Sequence, residues 1–216
     1  HGEAGQLRLA FVSTVGFGLL PQWVLGFRAA YPRVEFELIE ATGDVQLQHL
    51  ERGRIDAGFM LHSPGFAPAG LEHLRISREP LVLALPEHHP LSTARSIALA
   101  QVLDEPLVIF PRRIVPSLHD AIFGMYHAGG RMPRIAQEAI QMQTIVNLVS
   151  AGLGVAWVPE SVRQFQRPGV VYRQLGGKQA QGVPGCETTL AWPSASVPPT
   201  LDRFLEFARK QLKAQR

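Results

Sequence analysis

Two adjacent hydroxyls, Ser13 and Thr14, lie in the stretch AFVSTVGFGLLP (residues 10–21). They follow the apolar alternation of Leu7, Leu9 and Phe11. They precede Gly16, Gly18 and a run of apolar residues at helical spacing. Hydroxyls between a strand and a helix can be a nucleophile, a phosphate cradle, a ligand cradle or a helix cap. A hydrolase nucleophile elbow needs G-x-S-x-G, which places the serine on a strained turn, and the chain has no such pentad. A phosphate loop needs G-x-x-x-x-G-K-[ST], also absent. GFGLLP begins like a dinucleotide loop, but Pro21 takes the third glycine position. GLGVAW has Trp157 there. A ligand cradle and a plain cap remain open for Ser13 and Thr14.

The other reactive residue types form no constellation. His88 and His89 are adjacent and point opposite ways in an extended segment. His49, His62, His73, His119 and His127 are dispersed, and no H-E-x-x-H occurs. Neither a metal nor a cofactor is expected. Asp104 and Glu105 precede Pro106 and read as a solvated turn. Cys186 is the single cysteine, in a Gly/Pro-rich stretch without a basic neighbour, so it makes no internal disulfide and no reactive thiolate is expected. Arg112 and Arg113 follow a strand and are either solvated or a fork for an anion.

The elements that must position these residues alternate between two periods. Leu7–Val12, 34–40 (VEFELIE) and 55–61 (IDAGFML) read as strands. Leu19–Tyr31 carries a helical apolar stripe that Pro32 stops. TGDVQLQHLERG reads as a cap at Thr42 or Asp44, a helix, and a terminating Gly53. This is β-α-β-α-β, the pattern of a parallel α/β sheet. A loop follows over 62–70, and a strand in EPLVLALPEHHPL ends in a Pro-broken turn. The alternation then restarts with helices in IALAQVL, PSLHDAIFGMYHAGG (capped by Ser117) and QMQTIVNLVSAG. The strands between and after them are PLVIF, RIAQEAI, the strand of GVAWVPESV that meets a Pro-started helix, and GVVYRQL. GGKQAQGVPG is a flexible loop and TTLAW a strand. The last helix turns Leu201, Phe204, Leu205, Ala208 and Leu212 inward.

Bulk composition narrows the function classes. The 216 residues are 46% hydrophobic and 18% charged, enough for one large domain or two small ones. No apolar run approaches the ~18 residues of a membrane span. The N-terminus HGEAGQ is polar and reads as a tag remnant or the tail of a linker, so the chain reads as a fragment of a longer protein. Net charge is +3, and the basic residues are scattered apart from ARKQLKAQR at the C-terminus. No nucleic-acid binding by this chain itself is expected.

Four strand-to-helix junctions carry hydroxyls or amides: Ser13-Thr14, Thr42-Gly43-Asp44, Pro116-Ser117 and Gln141–Thr144. In a parallel sheet such junctions gather at the carboxyl edge, where helix N-termini leave free N–H groups. Each alone can be plain capping. Four together, without catalytic machinery, point to binding of a small molecule with an anionic or polar end.

The chain resembles the effector-binding domain of LysR-type transcriptional regulators over nearly its whole length. The resemblance rests on residues 7–43 (LRLAFVST through IEATG), LERGRIDAGFM, LVLALPEHHPLS and TIVNLVSAGLGVAWVPESV, in that order. It implies an α/β fold like a type 2 periplasmic binding protein, with two Rossmann-like subdomains joined by two crossover strands near Leu81–Ala84 and Glu187–Leu190. Residues 6–84 with 188–216 would be the first subdomain and 85–187 the second, the last helix returning to the first. An effector would lie between them, held by Ser13, Thr14 and the N–H of Val15, by Thr42 and Gly43, and by Arg112, Ser117 and Gln143. Gly43 stands where members that bind aromatic-pathway diacids often carry a hydroxyl, so Thr42 or the backbone would substitute. The resemblance also implies a cytoplasmic homodimer or tetramer, with the Leu19–Tyr31 helix at an isologous contact. The family's N-terminal winged helix-turn-helix is absent from this chain, so DNA would be met only through that part. A periplasmic solute-binding protein of the same fold is the alternative. An enzyme on this fold would need a cleft acid or base, and the junctions offer mostly uncharged groups.

Overall fold

The computed structural model describes residues 4–195 and 197–214. His1–Glu3, on which the reading of HGEAGQ partly falls, lie outside the described residues, as do Ser196, Gln215 and Arg216. The chain opens with β1 (Ala4–Phe11), α1 (Ser13–Gly16), α2 (Leu19–Ala30), β2 (Arg33–Glu40), α3 (Gly43–Glu51) and β3 (Ala57–His62). β4 (Glu72–Pro86) leads to a 3-10 turn at Pro90–Ser92, then α4 (Leu99–Leu103), β5 (Leu107–Ile109), α5 (Pro116–Ala128), β6 (Ile135–Glu138) and α6 (Met142–Ser150). β7 (Ala156–Pro159), a 3-10 turn at Glu160–Gln164, β8 (Val170–Arg173) and α7 (Gly177–Ala180) follow. β9 (Gly185–Trp192) and α8 (Pro199–Ala214) close the chain.

Two compact units result. The first holds residues 1–61, 66–77 and 187–216; the second holds 62–65 and 78–186. β4 and β9 each have residues in both.

In the first unit β1 pairs in parallel with β2 and β3, and Phe11 stands opposite both Glu40 and Phe59. The three strands therefore end at one level. Both sheet faces need cover, as parallel sheets do. On one face α8 and α2 meet in an aromatic layer. Phe204, fully buried, lies 5.3 Å from Phe27, 6.3 Å from Trp23 and 6.4 Å from Phe59, in edge-on geometries. On the other face Ala10, Leu50, Ile55 and Met60 pack together under α3. Asp56 ties β1 to the turn before β3. Its carboxylate accepts from the Arg8 backbone N–H (2.8 Å) and guanidinium Nη2 (2.7 Å), and this holds the Arg8 pKa above its usual value.

In the second unit β4 is antiparallel to β7 and β8, while β5 pairs in parallel with β6. Arg173 closes the turn after His89-Pro90 by donating to the carbonyls of Leu91 (3.3 Å), Ser92 (2.5 Å) and Ala94 (2.7 Å). Just inside this unit, Glu79 accepts from the Ser161 N–H (2.6 Å) and hydroxyl (3.1 Å).

Several local readings are corrected. β4 begins at Glu72, seven residues before the start of EPLVLALP, and takes in Leu74 and Ile76, which alternate with Arg75 and Ser77. Cys186 lies within β9 and is fully buried, not in a loop. The glycine-rich loop contains the single turn α7, whose Gln179 accepts from the Leu99 N–H at 2.8 Å. Ser117 does not cap α5. Pro116 takes the first helical position, which moves the cap to Val115.

Two expectations follow. Phe204→Ala should cost about 3–5 kcal/mol in chemical denaturation, because the surrounding rings cannot close the gap. The second concerns Glu79, whose pKa burial raises despite the two Ser161 bonds that favour its charged form. A carboxyl held above its unfolded value stabilises most where it is protonated, and that stabilisation is lost as pH rises through the folded value. Glu79→Gln keeps an acceptor for Ser161 and does not titrate. It should gain on wild type as pH rises from about 4 to about 7. Thermal melts across that window check this, and a variant that loses ground as pH rises overturns it.

Candidate functional site

The carboxyl edge of the first unit is built by its strand ends. The Val12 N–H donates to the Phe59 carbonyl (3.2 Å) and the Ala41 N–H to the Phe11 carbonyl (3.0 Å). These bonds hold the residues after β1 and after β2 side by side. Ser13, Thr14 and Val15 form α1 and are buried. The Thr14 hydroxyl oxygen is shut from solvent and finds no hydrogen-bond partner among the described residues. The Val15 N–H, expected to be open to a ligand, donates to the Val12 carbonyl at 3.1 Å.

At the second junction Thr42 is the N-cap residue of α3 in extended conformation, but its side chain does not cap. Its hydroxyl donates instead to the Asp44 carboxylate. Gly43 opens the helix, where N–H groups lack intrahelical acceptors.

Gln46 is a residue that reading the sequence missed. It is fully buried, and its Nε2 donates to the carbonyls of Ala41 (2.8 Å) and Phe59 (3.0 Å). One amide thus ties the end of β3 to the residue that precedes Thr42. Phe59 also receives the Val12 N–H, so both junctions share this anchor. Gly58 makes it possible: a Cβ there would stand 2.2 Å from Gln46 Oε1. The available signal was a glutamine on the inward side of a short helix, three residues after Gly43, with a glycine inside the following strand.

The remaining expected residues belong to the second unit. Arg112 is exposed and makes a two-pronged bond to Asp120, Nε to Oδ1 and Nη2 to Oδ2, both 2.7 Å. The pair raises the Arg112 pKa and lowers that of Asp120. Ser117 Oγ accepts from the Ser63 N–H, and Ser63 Oγ donates to the Ser117 carbonyl, each at 3.0 Å. Gln143 is the second residue of α6, half-buried, and its Oε1 is shut from solvent without a partner among the described residues. His119 is stacked on Phe123 at 4.2 Å, and burial lowers its pKa against the pull of Asp120.

Among the described residues no group of three or more His, Cys, Asp or Glu is placed to hold a metal. A groove of about 680 Å³ in the first unit is lined by Glu72, Trp192, Leu205 and charged residues of α8, and none of the junction residues borders it. The unit 1 edge offers hydroxyls, helix N–H groups and the carboxylates of Glu40 and Asp44, which is the chemistry of hydrogen-bonded ligand recognition.

The LysR substrate binding domain family model matches residues 1–213. The chain belongs to the LysR substrate-binding domain family. This LysR domain is 42% identical to the HTH-type transcriptional regulator IlvR of Caulobacter vibrioides over 205 residues, 94% of the chain and 67% of that regulator. It is 32% identical to AlsR of Bacillus subtilis over 216 residues, 98% of the chain and 68% of that regulator. The solved BenM effector binding domain with its effector benzoate matches with a TM-score of 0.76 at 26% identity, covering 97% of this chain and 93% of that one. The α/β architecture is thus that of LysR effector domains, and the regulators among its relatives favour an effector sensor over a solute carrier. Among the described residues no helix is long and apolar enough to cross a membrane.

The Gln46–Gly58 fit gives a mutational expectation. Gly58→Ala should cost about 1–3 kcal/mol by crowding the amide. In a Gln46→Ala background the same change should cost clearly less, a non-additivity read by a double-mutant cycle in urea.

Proposed function

We propose that this domain senses a small carboxylate-bearing effector at the carboxyl edge of its first unit and thereby modulates transcription. The observation that carries the reading is the buried, unpartnered hydroxyl of Thr14. Burying such a hydroxyl without a partner costs about 1–3 kcal/mol. A bound carboxylate would supply the partner. Ser13, Thr42 and the N–H of Gly43 stand at the same edge and complete the candidate contacts. In the second unit the Gln143 amide oxygen is also without a partner among the described residues. Arg112 and Ser117 already have partners, so a ligand would have to share or displace them.

The domain binds its effector without turning it over and works as part of a cytoplasmic regulator. DNA is contacted by a helix-turn-helix portion such as the relatives' names state. Assembly as a homodimer or tetramer is supported by α2, on which Leu25 is 74% exposed.

Thr14→Val tests the reading. A thermal-shift panel of small carboxylates finds a ligand, and calorimetry measures it. Affinity should fall about tenfold or more, as expected for ~1–3 kcal/mol lost from a hydrogen bond to a charged group. The unliganded variant should melt no lower than wild type, because it loses an unsatisfied hydroxyl, and Thr14→Ser should keep the affinity. Affinity retained within about threefold in Thr14→Val overturns the cradle.

A further inference from the structure

The second junction carries information about the ligand beyond its carboxylate. Thr42 has a single hydroxyl proton, and it is spent on Asp44. What the side chains of this junction still offer is therefore acceptor only: the lone pairs of Thr42 Oγ1 and of the Asp44 carboxylate. The backbone offers the opposite, the N–H groups of the first turn of α3. One strand away stands the buried hydroxyl of Thr14 without a partner. β1 and β2 run in parallel register to Phe11 and Glu40, and adjacent strands lie about 4.8 Å apart. Donors that suit an anion and acceptors that suit a donor or cation thus follow the ends of two neighbouring parallel strands, in one unit. A plain monoacid would leave Asp44 unanswered, and a diacid would set a second carboxylate against it, a like-charge contact that selects against a ligand.

We propose that the effector carries a hydrogen-bond donor, an ammonium or a hydroxyl, on the carbon next to its carboxylate, and that Asp44 reads this group. The ligand class is an α-amino or α-hydroxy acid. Asp44 is then the residue that sets specificity, while Thr14 and the helix N–H groups take the carboxylate. The inference rests on the reading of Thr14 as a carboxylate contact.

Matched acids test it on the domain as it stands. One set shares an aromatic skeleton: phenylalanine, phenyllactate, 3-phenylpropanoate and benzylmalonate. A second is aliphatic: leucine, 2-hydroxy-4-methylpentanoate, 4-methylpentanoate and isobutylmalonate. In whichever skeleton fits, the amino or hydroxy acid should bind about tenfold or more tighter than the acid without a donor, and the malonate should bind weakest. Asp44→Asn should remove most of an amino acid's advantage and less of a hydroxy acid's, which separates the two sources of the donor. Thermal melts of Asp44→Asn without ligand confirm that it folds. The inference is overturned if the donor-free acid binds as tightly as its partners, or if the advantage survives Asp44→Asn unchanged. If Thr14→Val weakens every acid while the donor makes no difference, the carboxylate reading stands and this inference falls. If no acid of either set binds at millimolar concentration, both fall.

Discussion

A buried amide must be hydrogen-bonded or it destabilises the fold around it. Gln46 meets it through Nε2 alone, its Oε1 having no partner among the described residues, and those bonds brace the edge of the first unit. Its two donor hydrogens go to carbonyls of Ala41 and Phe59, on the chain after β2 and at the end of β3. Strand ends at a sheet rim have backbone groups that the ladder no longer satisfies, and loops there move unless something else pairs those groups. Gln46 supplies the pairing from within α3, so a helix holds a strand end rigid. The cost falls on Gly58, which must stay without a side chain. The hydroxyls of Ser13, Thr14 and Thr42 sit directly on this braced edge, and their mutual positions depend on it.

The brace works only because the sheet beneath it is complete, and completion comes from the far end of the chain. Phe204 and Leu205 of α8 are buried in the first unit, beside Trp23 and Phe27 of α2. The chain contributes residues 62–65 and then 78–186 to the second unit and returns through β9 before α8 can cover the aromatic layer. Until then Trp23, Phe27 and Phe59 lack their cover. Such distant pairing is expensive in loop-closure entropy during folding. β4 and β9 each carry residues of both units.

Much of this was legible in the residues. VEFELIE alternates cleanly, the α2 stripe recurs at helical spacing, and Gly53 sits at φ 63° where a helix end needs a left-handed residue. The junction hydroxyls stood out because hydroxyls between a strand and a helix always need a purpose. What escaped were relations between distant residues. Gln46 looks like any polar residue on an amphipathic helix until Ala41 and Phe59 are brought to it. Arg112 finds Asp120 across a turn of eight residues, a spacing that no helical or strand period marks. Ser117 looked like a cap because serine favours that position, but Pro116 before it shifts the helix start by two residues. Leu74 and Ile76 alternate with Arg75 and Ser77, but this signal is too short to stand out beside the apolar LVLALP that follows it.

The same distinction explains why the unpartnered groups at this edge are informative. Polar groups in a folded interior are almost always satisfied, and a protein tolerates an exception where something else will satisfy it. At this edge the backbone groups are paired: Val12 with Phe59, Val15 with Val12, Ala41 with Phe11. Against that paired backbone, the Thr14 hydroxyl and the Gln46 Oε1 are the buried side-chain atoms of this edge left without a partner among the described residues. Thr42 completes the argument from the other side. Its hydroxyl is turned to a carboxylate on its own helix, so it cannot donate to an incoming anion without releasing Asp44. Two threonines on neighbouring junctions therefore differ, the Thr14 hydroxyl without a partner among the described residues and the Thr42 hydroxyl engaged by Asp44. The polarity of the edge is set by which hydroxyl is already engaged, more than by how many hydroxyls it has.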